Sequence, residues 1–226
     1  MIKKDQPSVL INVGSAAQQK PEWNDYARFC FTLEKGLRQE AFTHLGSFIQ
    51  TSRLWTPDQK ISFVHFLCTS LETYPDDSQG ICPHPLYHEL LKPTLANWCE
   101  TEQNDERPFR WYGIYYHSEQ HLFKALEINP ADDQSRQVLL KWWTHEISFS
   151  MHHLPDGYIG DPAHDKALAE KAKTQIRQLT SATLQAYWTG VLEEDLILLN
   201  NYLEWQASGH PDFAQWGLEH HKIVKP

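Results

Sequence analysis

From Trp23 onward, apolar residues recur at steps of three and four. Trp23, Tyr26, Ala27, Cys30 and Leu33 share one face of a predicted helix that stops at Gly36. Leu37, Ala41, Leu45, Phe48 and Ile49 repeat the pattern. Thr56-Pro57-Asp58 supplies a cap and a first-turn proline for a third stripe made by Ile61, Val64, Cys68 and Leu71. A fourth helix is predicted from Pro85 to about Trp98, with Pro93 as a kink point, and a fifth from Phe109 to Leu126, weakened by Gly113 and closed by Asn129-Pro130. Asp132 or Asp133 caps a sixth through Leu139, Trp142, Trp143 and Ile147. Asp161-Pro162 is a strong start for a seventh, and the series Leu184, Trp188, Val191, Leu192, Leu196, Leu199 and Leu203 marks the last long stripe, with Thr180-Ser181 as the place for a break.

No segment alternates apolar and polar residues over the length of a strand. The expected fold is therefore all-α, with about eight helices, the short connections favouring antiparallel helix pairs stacked in chain order. Residues 1–20 contain Gly14-Ser15-Ala16-Ala17-Gln18 without sustained periodicity and read as a flexible arm. Residues 21–226 read as one helical domain. The turn-rich stretch 74–85, with Pro75, Gly80, Pro83 and Pro85, is the place for a subdomain boundary.

Leu122-Phe123-Lys124-Ala125-Leu126-Glu127-Ile128-Asn129-Pro130 resembles the end of the second helix of a tetratricopeptide repeat, with Ala125 and Pro130 at the matching spacing. Lys35-Gly36-Leu37-Arg38-Gln39-Glu40-Ala41-Phe42 has a similar character. The repeat's tryptophan, leucine, glycine and tyrosine do not line up upstream of Ala125, and no 34-residue period runs along the chain. The resemblance implies a right-handed superhelix of helix pairs, with an irregular bundle as the other arrangement, and a concave groove that binds a protein segment.

The chain of 226 residues carries 20 Lys and Arg against 29 Asp and Glu, a formal net charge of −9. Nucleic acid and anionic membranes reward clustered basic groups, so neither is an expected partner, and a basic protein or peptide fits better. No apolar run reaches membrane-spanning length, and Val9-Leu10-Ile11-Asn12-Val13 is too short and interrupted for a signal peptide, which makes the cytoplasm the expected location. Cys30, Cys68, Cys82 and Cys99 lack Cys-x-x-Cys spacing and read as reduced thiols, two of them on apolar stripes.

Two stretches carry candidate chemistry. Pro108 to His117 places five aromatic residues around Arg110, and Arg110, Trp111, Tyr112 and Tyr115 are residue types that anchor protein interfaces. Met151 to Asp165 packs three histidines, three aspartates, Tyr158 and two glycines into a helix junction, from which His152, His153 and Tyr158 join the candidate binding set. No cofactor or catalytic motif is found: a Gly-x-Ser-x-Gly elbow, a phosphate loop, a dinucleotide fingerprint and His-Glu-x-x-His are all missing from the sequence. The first expectation is thus a non-catalytic helical scaffold that holds a protein or peptide in a groove, with inhibition of a toxin, as immunity proteins do, as one form. The alternative rests on His164-Asp165, which resembles the adjacent pair of helical metal-dependent phosphohydrolases. That resemblance implies a further histidine upstream, for which His121 or His145 is the candidate, and an aspartate downstream, for which Asp195 is, although the family's pair sits within a helix and this one falls in a first turn; the metal set of this alternative is His152, His153, Asp161, His164 and Asp165.

Overall fold

A computed structural model describes residues 8–225. The described residues are 78% helical, without strands among them, and the chain divides into two compact units, Met1–Tyr112 and Gly113–Pro226. The dividing point falls inside a helix, not in the 74–85 turn region where the proline and glycine density predicts it.

The first unit contains α1 (Val9–Ala17), α2 (Asn24–Glu34), α3 (Arg38–Ser52), α4 (Pro57–Thr73), the short α5 (Ser78–Ile81), α6 (His84–Leu86), α7 (Lys92–Thr101) and the start of α8 (Glu106–Tyr116). α1 packs on α2, α2 on α3, and α4 on α7. Aromatic rings join α2, α3 and α4: Phe63 lies 4.6 Å from Phe48, 5.1 Å from Tyr26 and 5.3 Å from Trp23 between ring centroids. Tyr26 is fully buried, and its hydroxyl donates to the Ile81 carbonyl at 2.7 Å, so the one polar atom of this ring is satisfied. Thr56 caps the start of α4, as the sequence predicts, and Gln59 completes a reciprocal capping box with it.

The expected arm is corrected here over its described part; residues 1–7 lie outside the described residues. Ser8 accepts the Ile11 N–H and starts α1, which buries Val13 and Ala17. Gly14, read as a mark of flexibility, is instead a point of close approach: a Cβ there would sit 2.8 Å from the Phe31 ring of α2.

The fourth predicted helix runs from His84 to Thr101 through a π-helical stretch, Tyr87–Leu91, where the Lys92 N–H reaches back to the Tyr87 carbonyl. Pro93 accounts for this widening, because its ring clashes with the carbonyl four residues earlier in a regular helix and it has no N–H to donate.

The second unit contains the end of α8, then α9 (Glu119–Ile128), α10 (Asp133–Met151), α11 (Pro162–Arg177), α12 (Ala182–Ser208) and α13 (Phe213–His220). α9 packs on α10, α10 on α11, α11 on α12, and α10 also on α12. Leu139, Leu140, Trp143 and Ile147 of α10 meet Leu168, Ala169 and Ala172 of α11 and Leu192 and Leu199 of α12 in one core. Asp132, Asp161 and Ser181 cap the starts of α10, α11 and α12, and Pro162 opens α11. The single helix predicted over 109–126 is two. It breaks at His117, which adopts a left-handed φ of 54°, while Gly113 stays helical. With α6 and α7 taken as one rod, the described residues hold twelve helices where the apolar pattern predicts about eight. Part of the excess is α1, the split at His117 and short elements whose few residues carry no periodicity.

Candidate functional site

The residues expected to form one binding set fall in both units. In the first unit Trp111 is 1% exposed, and its indole N–H donates to Glu72. Arg110 lies 3.6 Å from the same carboxylate and 3.9 Å from Glu106. Both side chains therefore serve packing within the unit. Next to them Arg107 grips Asp105 with two bonds of 2.8 Å and turns its remaining arm to His65 Nε2 at 3.0 Å. An imidazole that accepts from a guanidinium must be neutral at that nitrogen, and burial first, then the Arg107 charge, hold His65 below the usual histidine range. The His65 ring stands edge-on to Trp111 at 5.4 Å. This Asp105–Arg107–His65 clasp joins residues 40 positions apart and has no signature in the local sequence. Tyr112 and Tyr115 are half-buried.

In the second unit His152 and His153 are exposed in the turn that directly follows α10. Their rings lie 4.0 Å apart, and His152 stacks at 4.7 Å on Phe149, itself 54% exposed. Tyr158 points the other way: its ring stacks on Tyr202 at 4.6 Å, and its hydroxyl donates to Asp165, which is 1% exposed. Burial, followed by the Asp165 carboxylate, pushes the Tyr158 phenol well above its ordinary value.

The alternative metal set does not gather. Asp161 accepts the Ala163 N–H as a helix cap, His164 pairs with Glu146 at 3.0 Å, and Asp165 is sealed beneath Tyr158. Among the described residues no group of three or more His, Cys, Asp or Glu is placed to hold a metal ion. The four cysteines are free thiols. Burial pushes Cys30 up to about 12 and raises Cys68, which makes both poor nucleophiles.

The second unit holds a cavity of about 360 Å³ lined by Ser148 and Met151 of α10, Glu194, Asp195, Ile197 and Leu198 of α12, and Ile223 and Lys225 of the C-terminal segment. Three fastenings hold that segment in place. Asn201 donates to the Ile223 carbonyl at 2.9 Å, Lys222 pairs with Glu204 at 2.8 Å, and Val224 packs on the core. Ile197 and Ile223 are about half exposed, so the recess has an apolar rim beside two carboxylates. Burial pushes the Asp195 carboxyl up to about 6, with the Glu194 charge adding to the shift. A carboxylate so poorly solvated gains most when a cation arrives. The sequence offers Asp195 only as a candidate partner of His164-Asp165; the recess itself is not legible there, because the residues of the C-terminal segment are more than twenty positions away.

No protein-family model, no curated protein and no solved structure matches the chain.

Proposed function

We propose that the protein is a non-catalytic helical scaffold that captures a basic segment of another protein, and that the recess between α10, α12 and the C-terminal segment is its docking point. The observation that carries this reading is the pairing of Asp195 and Glu194 with the exposed apolar side chains Ile197 and Ile223. A lysine or arginine flanked by aliphatic residues matches both halves of that surface: its stem covers the apolar rim and its head neutralises the carboxylates. The exposed Phe149, His152 and His153 extend the same end of α10 and supply ring faces to a partner. The net charge of −9 favours approach of a cationic protein. Inhibition of a basic toxin is one role such a scaffold can play, and the helix-on-helix packing within each unit is compatible with a tetratricopeptide-like stack.

The test is a fluorescence-polarisation screen of lysine- and arginine-containing peptides with aliphatic flanks, against matched acidic peptides. Basic peptides should bind, and the double variant Glu194→Gln, Asp195→Asn should weaken them at least about tenfold, since it removes one half-buried and one exposed carboxylate from the contact. Equal binding of acidic peptides, or an unchanged affinity in the double variant, would refute the reading.

A further inference from the structure

The first unit holds a second recess, separate in sequence and chemistry from the acidic one. It is a cavity of about 190 Å³ bounded by the end of α3, the first turns of α4, the π-helical stretch and α7. Its most deeply buried lining residues are Ser52, Leu90 and Thr94, with Ile61 half-buried beside them. A dry cavity of about 150 Å³ lined by aliphatic side chains is known to admit one benzene ring, so a single ring is the size this space accepts. The π-helical stretch contributes directly, since both Glu89 and Leu90 line the space. Such widened turns occur frequently where helices make binding sites.

The charges around the cavity select the ligand. Arg53 and Lys60 bring two positive charges and Glu89 one negative charge. Glu89 is engaged by Arg53 at 2.8 Å, whereas Lys60 is half-buried and has no ion-pair partner among the described residues. Lys60 also lies in the first turn of a 17-residue helix, where the peptide dipoles add to the positive potential. We infer that this cavity binds a small monocyclic carboxylate, with the ring against Leu90 and Ile61 and the carboxylate on Lys60 and Arg53. Neutral rings lack the charge term, and cationic ones meet Lys60 and Arg53 head-on.

The experiment uses the full chain with carbon-13-labelled methyl groups, titrated separately with benzoate, benzyl alcohol and benzylamine. Benzoate should shift the Ile61 and Leu90 methyl signals saturably with a Kd of about 1 mM, an affinity in keeping with so few ligand atoms. Benzyl alcohol and benzylamine should bind at least about tenfold more weakly. Lys60→Gln, which leaves Ser52, Ile61, Leu90 and Thr94 of the lining unchanged, should cost benzoate about tenfold while leaving benzyl alcohol unchanged; Arg53→Gln serves as the second variant. No saturable methyl shift with benzoate, equal binding of the three probes, or undiminished benzoate binding in both variants would each overturn the inference. Because this cavity and the acidic recess use different residues and probes, either can fail without the other.

Discussion

Asp195 is the side chain at which the proposed binding and the stability of the fold pull in opposite directions. Its carboxyl is held at about 6 by burial and by Glu194, with Lys225 as the nearby cation lining the same recess. The folded chain therefore keeps this proton more tightly than the unfolded chain. That advantage is complete below the ordinary carboxylate value of about 4 and is lost as pH rises through about 6. Asp195→Asn should flatten the pH dependence of stability across that window. It should also raise stability at pH 7 by about 1 kcal/mol, a figure already reduced for the solvent that reaches the group. Chemical denaturation at pH 4 to 7 checks this; an unchanged profile would show that Asp195 titrates normally. A variant that is more stable but binds basic peptides less well is what a destabilised binding residue predicts.

Helices here reach their positions through small contacts that periodicity registers poorly. The long stripes of α2, α3, α4, α10 and α12 are legible because each buries one face, and the caps at Thr56, Asp132, Asp161 and Ser181 stand where local hydrogen-bonding chemistry places them. What the sequence conceals is the meaning of glycine. Gly113 is read as a weak point of one helix, yet it is the notch that lets α9 lie against α8: a Cβ there would stand 2.6 Å from the Leu122 side chain and 3.1 Å from its backbone nitrogen. Gly113→Ala should therefore destabilise the fold by about 1 to 3 kcal/mol, the usual cost of overpacking, despite alanine's better helix propensity. Urea unfolding measures it, and a gain in stability would show that Leu122 gives way freely. Tertiary position also decided the candidate site: Trp111 and Arg110 have the composition of interface anchors but are absorbed by Glu72, whereas Ile223 joins the recess only because Asn201 and Glu204 fasten its segment.

Across the whole molecule, an excess of nine negative charges acts at longer range than any single contact. Association with a basic peptide should be fast at low ionic strength and slow by about tenfold or more as salt shortens the screening length, with the dissociation rate changing much less. Stopped-flow measurements at several salt concentrations test this; an association rate indifferent to salt would place the binding energy in apolar contact alone. Among the described residues no helix is long and apolar enough to cross a membrane. The all-α class is visible from the absence of alternating segments, while the division into two units is not, because α8 runs through it and Gly113, the residue at the division, stays helical. One wall of the acidic recess is the irregular C-terminal segment, pinned by the Asn201 amide, the Lys222–Glu204 ion pair and Val224, and the opposite wall is helix. Loosening that tether would widen the opening without disturbing the helical frame, so if the proposed docking holds, the recess should tolerate cationic side chains of different girth.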